Sequence, residues 1–237
     1  MLRFRAEVRQ ISLKTELFLQ SRPLKQRGPT LLILRAVDGR PAFCILEGEK
    51  IGKGEKNMRN WYIADTHFGH CNVIRFDGRP FGDVEEMDRV LMENWNARVG
   101  DGDDVYVLGD FCYRSARGPV WYLKRLKGRK HLVTGNHDRT LLADTGAVAC
   151  FESIDKMMFV KEEQGPVCLC HFPIAEWNGF YRNSWHVYGH IHNQRNETYE
   201  FMKSRERALN AGCMINNYSP VRFQELVENN RRWRELP

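Results

Sequence analysis

The chain has 237 residues, 42% hydrophobic and 28% charged, enough for one substantial domain with a small appendage. No apolar run approaches the roughly 20 residues that span a bilayer, and no signal-peptide core follows Met1-Leu2-Arg3-Phe4-Arg5, so a cytoplasmic protein is expected. The net charge of +6 resides in residues 1–57, which hold 12 Lys/Arg against 6 Asp/Glu; the remaining 24 basic and 24 acidic residues cancel and give no global nucleic-acid signature.

Residues 1–57 differ in character from the rest. Apolar runs at 31–37 and 42–46 flank Asp38-Gly39, a hairpin-turn signal. Residues 7–19 read as a short helix or strand, and the Gly/Lys/Glu-rich 47–57 reads as a linker. Two readings stand: a small basic β appendage, or a segment upstream of a native start at Met58. Lys53-Gly54-Glu55-Lys56-Asn57 can be encoded by a purine-rich stretch resembling a ribosome-binding site. None of the metal-seeking motifs falls in this region, which favours the second.

Five apolar strands follow, each ending in residues that ligate metals. Trp61-Tyr62-Ile63-Ala64 runs into Asp65-Thr66-His67. Gly and Pro punctuation marks 68–81 as an irregular loop carrying His70, Arg75 and Arg79. Residues 84–98 read as an amphipathic helix with Met87, Val90, Leu91, Trp95 and Val99 on one stripe and Glu85 and Glu86 in its first turn. A solvated turn containing Asp101, Asp103 and Asp104 leads to the second strand, Val105-Tyr106-Val107-Leu108, and then to Gly109-Asp110.

A short helix is expected over 120–126. The third strand, His131-Leu132-Val133-Thr134, opens into Gly135-Asn136-His137-Asp138. Runs at 157–161 and 166–170 suggest a hairpin, the second run ending at His171. Trp185-His186-Val187-Tyr188 precedes Gly189-His190-Ile191-His192, residues 208–214 suggest one more strand, and Ser219-Pro220 reads as the opening of a final helix. The seven cysteines are odd in number and lack framework spacing, which points to reduced thiols, with Cys168 and Cys170 as core residues.

Open α/β sheets place their sites beyond the carboxyl ends of strands. Such strands side by side deliver Asp65, His67, Asp110, Asn136, His171, His190 and His192 to one rim: four imidazoles, two carboxylates and an amide. That donor set suits Mn, Fe, Zn, Co or Ni. It is too large for one tetrahedral zinc and fits two divalent cations of higher coordination.

In order, Asp-x-His, Gly-Asp, Gly-Asn-His-Asp, His and Gly-His-x-His resemble the motif set of the calcineurin-like metallophosphoesterases, and Ala64-Asp65-Thr66-His67-Phe68-Gly69-His70 looks like a compact bacterial and phage branch. The resemblance implies an α/β fold, a metallophosphoesterase-type β-sandwich flanked by helices over 58–237, with residues 1–57 as a small basic N-terminal extension. It implies two metal ions, Mn²⁺ foremost. Asp65, His67 and His192 would hold the first and Asn136, His171 and His190 the second, with Asp110 bridging. A hydroxide between them would attack phosphorus in line, and His137 would protonate the leaving group.

Phosphoprotein-directed relatives often carry Gly-Asp-x-x-Asp-Arg-Gly; here Tyr113 takes the place of the second Asp, which leaves the orienting partner of His137 open, with Asp138 one candidate substitute. A weaker phosphomonoesterase or a phosphodiesterase therefore fits better than a protein phosphatase, and a phosphodiester substrate, such as a nucleotide or a nucleic-acid end, is favoured. His70, Arg75 and Arg79 are the candidate phosphate contacts and Trp177 and Tyr181 candidate stacking rings, while His186 reads either as an outer partner of the ligands or, the favoured reading, as an ordinary buried histidine. The rival functions are a non-catalytic interaction module on the same scaffold and nucleic-acid binding through the basic N-terminal segment.

Overall fold

The computed structural model describes residues 59–236 together with two strands, β1 (Thr30–Arg35) and β2 (Pro41–Leu46). These two pair antiparallel, Thr30 opposite Leu46 and Arg35 opposite Pro41. The Asp38-Gly39 turn, residues 7–19, the linker and Met58 lie outside the described residues. The chain divides between Glu55 and Lys56, and the unit Lys56–Pro237 carries all the predicted ligands.

Its first half runs β3 (Asn60–Ile63), α1 (Cys71–Asp77), α2 (Val84–Arg98), β4 (Asp104–Val107), α3 (Pro119–Leu123), β5 (Arg129–Val133), α4 (Arg139–Ala143), α5 (Thr145–Val148) and β6 (Phe151–Asp155). The four strands form a parallel sheet in the order β3-β4-β5-β6. The second half runs β7 (Met157–Glu162), β8 (Gly165–Cys170), β9 (Trp185–Tyr188), α6 (Glu197–Lys203), β10 (Ala208–Asn210) and α7 (Phe223–Glu235). Its sheet has the order β10-β9-β8-β7, parallel except for the β7–β8 hairpin.

Strand periodicity sorts the core into three layers. Trp61, Ile63, Val105, Val107 and Leu132 face Met87, Leu91 and Trp95 of α2 and Tyr122 and Leu123 of α3. The alternate residues Tyr62, Leu108 and Val133 turn inward to meet Val167, Leu169, Val187 and Leu209, with Phe223 and Leu226 of α7 closing the seam. Cys168, Tyr188 and Ala208 back onto Tyr199 and Met202 of α6 and Trp233 of α7. The result is a helix-flanked β-sandwich of mixed α/β class, as expected. The cysteines among the described residues are free thiols, Cys168 and Cys170 buried.

The helix over 84–98 forms with the expected bounds. Asp83 caps it by accepting from the Glu86 N–H at 2.8 Å. Val99 ends it in an extended conformation before Gly100. Elsewhere the local signals misled. The supposed irregular loop after His70 contains α1, which lacks a capping side chain and first-turn acids and ends at Gly78 in the left-handed region (φ 61°). Buried Val73 and Asp77, not propensity, hold it.

The final helix begins at Phe223, not at Ser219-Pro220, because Val221 exchanges backbone hydrogen bonds with Tyr62 at 2.8 and 3.0 Å. The strand at 208–214 stops at Asn210. Edge strand β6, whose pairing with β5 shifts register between Lys130 and His131, gave no alternation to read. Asp104 is not a solvated turn residue: it is buried, starts β4 and pairs with Arg129 and His131 at 2.6 and 3.0 Å.

Leu226 is fully buried in the seam between the sheets. Leu226→Ala is expected to cost roughly 2–5 kcal/mol, read as a lower urea midpoint at unchanged slope. A midpoint within error of the parent would mean that α7 does not close the seam.

Candidate metal centre

The parallel strands of both sheets end at one edge, and backbone contact joins them there. Ala64, at the exit of β3, donates its N–H to the Ala211 carbonyl just past β10 at 2.8 Å and accepts the Cys213 N–H at 3.0 Å. Two glycines permit the approach. A Cβ on Gly189 would stand 2.7 Å from the Ala64 Cβ and 2.8 Å from Asp65 Oδ2, and one on Gly135 would stand 2.4 Å from Asp110 Oδ1. Asp65, His67, Asp110, His190 and His192 all adopt φ between 50 and 71°. Such left-handed residues cost on the order of 1 kcal/mol or more each and concentrate at functional sites.

Ligand atoms of Asp65, His67, Asp110 and His192 lie within 4.8 Å of one another, three of these residues buried and His192 half-buried. His67 Nε2 is 3.2 Å from His192 Nε2 and 3.7 Å from Asp110 Oδ2, while His192 Nε2 is 3.8 Å from Asp65 Oδ1. On the other side of Asp110, His171 Nε2 lies 3.6 Å from the same Oδ2 and 3.1 Å from Asn136 Oδ1, which His190 Nδ1 approaches at 3.0 Å. All seven residues read from the sequence therefore converge, in two groups sharing Asp110.

The outer hydrogen bonds set the protons. A carbonyl only accepts, so His171 Nδ1, 2.7 Å from the Leu108 oxygen, carries the ring proton and leaves the Nε2 lone pair facing the cluster. His192 Nδ1 donates to Asp77 Oδ1 at 2.7 Å, which aims its Nε2 inward in the same way. Burial raises the Asp65 carboxyl to about 6, opposed by His192 and His171. Burial, reinforced by His192 and Arg79, holds the His67 imidazole far below its usual range. His192 runs the other way: burial lowers it, but the hydrogen bond to Asp77 and the charges of Asp65 and Asp77 raise it overall. Buried carboxylates and inward lone pairs form an environment that a divalent cation stabilises, so the residues present fit a metal.

Arg79 does not belong to the substrate-facing set. It is 4% exposed, and its five N–H groups are all engaged. Nε and Nη2 donate to Asp77 Oδ2 at 3.0 and 2.9 Å, Nη2 also to the Asp65 carbonyl and Nη1 to the Thr66 carbonyl, both at 2.9 Å, and Nη1 to the Met87 sulfur at 3.6 Å. It clamps the first ligand loop to Asp77. Sequence reasoning missed Asp77, whose only signal was a carboxylate two residues before an arginine.

Asp138 likewise does not orient His137. It is buried, and its oxygens accept from the backbone N–H groups of Asp110 (2.9 Å), Gly135 (2.8 Å) and Phe111 (3.0 Å), locking two ligand loops together. His137 donates its own backbone N–H to Asp110 Oδ1 at 2.8 Å. Its ring meets Tyr113 edge-on at 4.6 Å and His67 at 5.5 Å. His70 reaches the same group, 4.8 Å from Tyr113 and 5.5 Å from His67, whereas Arg75 is exposed over the Phe76 ring. Trp177 is buried and donates to the Ser184 carbonyl, so it offers no stacking face, while Tyr181 stays exposed. His186 is buried, donating to the Cys168 carbonyl and accepting from Ile174 N–H, each at 3.1 Å.

Asp77→Asn is expected to weaken divalent-metal affinity about 10- to 100-fold while the metal-free protein keeps its circular dichroism. Unchanged affinity in a Mn²⁺ titration would show that His192 needs no such partner.

Residues 58–211 match the family described as calcineurin-like phosphoesterase. An uncharacterized protein of Methanocaldococcus jannaschii is 31% identical over 175 residues, covering 73% of this chain and 92% of its own length. The crystal structure of a protein of unknown function from Aquifex aeolicus superposes with a TM-score of 0.59 at 25% identity, covering 73% of this chain and 99% of its own. With the family match spanning well over half of the sequence and the ligand cluster at its sheet edge, this chain belongs to the calcineurin-like phosphoesterases.

Proposed function

We propose that the protein hydrolyses phosphodiesters at two divalent cations, with Mn²⁺ the preferred metal. One observation carries this reading. His171 Nε2, its proton placed on the far side of the ring, directs a lone pair at a point it shares with Asn136 Oδ1 and Asp110 Oδ2, 3.1 and 3.6 Å away. These three atoms would offer a second cation a position beside the Asp65, His67, Asp110 and His192 cluster, which supports the two-metal reading. Asp65, His67 and His192 would hold one ion and Asn136, His171 and His190 the other, with Asp110 Oδ2 between them. When bound, such a pair lowers the pKa of water and neutralises charge developing on phosphoryl oxygens.

The chain's own residues supply the rest. Asp110 orients the Asn136-His137 turn by accepting the His137 backbone N–H, which holds the imidazole beside the cluster without ligating it. From there His137 gives a proton to the departing ester oxygen, so that water adds across the P–O bond and a monoester and an alcohol result. Arg79 is taken up by the ligand loop, leaving His70, Arg75 and His137 as the proposed phosphate contacts. That is modest cationic support, suited to a diester with one negative charge more than to a dianionic monoester. Among the described residues no hydrogen bond holds the His137 ring, and no carboxylate supports it as an acid.

The catalytic unit is proposed to be 58–237, with 1–57 as an extension. Among the described residues no helix is long and apolar enough to cross a membrane.

His137→Ala is expected to retain both metal equivalents and lower kcat on a diester by about 10²- to 10⁴-fold; loss of metal would make His137 a ligand instead. Removal of residues 1–57 is expected to leave kcat/KM within twofold, and an inactive truncation that still binds metal would place that segment in the active site.

A further inference from the structure

Two exposed aromatic rings lie near the cluster, Phe172 against two of its imidazoles and Phe76 one ring further out, reached through His70. Phe172, 44% exposed, lies edge-on to His190 at 4.7 Å and to His171 at 5.0 Å. Phe76, 60% exposed, lies 6.4 Å from His70, which in turn packs 5.5 Å from His67. Scattered exposed apolar residues need no explanation, but these two are fixed to the ligand frame.

Phe172 follows the fully buried ligand His171 directly, and two residues later the loop is tied down by the Ile174 N–H donating to His186 Nε2 at 3.1 Å. His186 is itself anchored through Nδ1 to the Cys168 carbonyl and packs on Trp177 at 5.2 Å. A buried histidine with no part in the cluster thus holds the segment that presents Phe172. Phe76 precedes Asp77, whose carboxylate is shared between His192 and Arg79, so the ring rides on the residue that orients a ligand. The Arg75 guanidinium lies 5.3 Å from its centroid.

A phosphodiester centred on the cluster sends two ester arms away from phosphorus. We infer that its substrate carries a flat aromatic ring on both arms, as adjacent nucleosides joined by one phosphate do, with one ring packing on Phe172 and the other on Phe76. This rests on the phosphodiesterase reading above and adds the substrate class. Ring-on-ring stacking is indifferent to base identity and contributes on the order of 1–3 kcal/mol per base, so each platform sets the class of substrate without selecting a sequence.

The test compares the full-length Mn²⁺-loaded protein with Phe172→Ala and Phe76→Ala on a two-ring diester, bis(4-nitrophenyl) phosphate, and a one-ring diester, ethyl 4-nitrophenyl phosphate. On the two-ring substrate each substitution is expected to lower kcat/KM about tenfold, mainly through KM, and Phe172→Tyr and Phe76→Tyr to restore it. On the one-ring substrate the two substitutions diverge, one keeping its loss and the other losing its effect. A dinucleoside monophosphate and a ten-residue thymidylate strand separate the two natural sources. Preference for either supports the inference, and hydrolysis of neither by an enzyme active on the synthetic diesters overturns it. Equal losses on both synthetic substrates, or none on either, also overturn it while leaving the hydrolase reading intact. A parent protein that binds Mn²⁺ but hydrolyses no diester removes both.

Discussion

At the edge where the two sheets meet, His171 Nε2 faces Asn136 Oδ1 at 3.1 Å and Asp110 Oδ2 at 3.6 Å, and the fully buried carboxylate of Asp65 stands within 4.8 Å of that of Asp110. Burial, joined by the neighbouring Asp110 carboxylate, drives the Asp65 carboxyl up to about 6 against the opposing pull of His192 and His171. Much of the surrounding structure serves to keep these groups together despite that cost. The parallel strands aim their carboxyl ends at one edge, Gly135 and Gly189 let the backbones close up, and five ligand residues accept left-handed dihedrals. A protein gives up stability in this way only where the geometry is used.

The side chains around the ligands are held as firmly as the ligands themselves. Asp138 gathers three backbone N–H groups from two ligand loops. Arg79 directs every donor it has to Asp77, Met87 and the carbonyls of the first loop, and Asp77 passes the remaining carboxylate oxygen to His192. Proton positions at the ligand rings follow from these contacts, so the sheet edge, the loops and the chemistry of the imidazoles form one connected frame. Phe172 and Phe76 are exposed next to that frame, Phe172 against His171 and His190 and Phe76 near His70.

Much of this was legible in the sequence because parallel strands and their exits leave short, regular signatures. Each apolar run followed by a metal-seeking residue was locally complete, and the five together gave both the sheet edge and its seven converging residues. What escaped notice depends on tertiary contact. α1 has no cap or acidic first turn and exists because Val73 and Asp77 are buried. Asp77 reads as an ordinary loop carboxylate until the fold brings His192 against it. Arg79 and Asp138 looked like substrate and catalytic partners because polar residues beside a site are usually taken to face it; here both face the backbone that builds it. The start of α7 moved because Val221 pairs with Tyr62, across the chain from it, and no local propensity encodes that.

Two cations are proposed to flank Asp110. Anomalous diffraction from crystals grown with Mn²⁺ tests that arrangement most directly. Two peaks are expected about 3.5–4 Å apart, one within reach of Asp65, His67 and His192 and the other within reach of Asn136, His171 and His190, with Asp110 between them. A single peak at saturating Mn²⁺, or two that leave Asn136 and His171 uncoordinated, would contradict it.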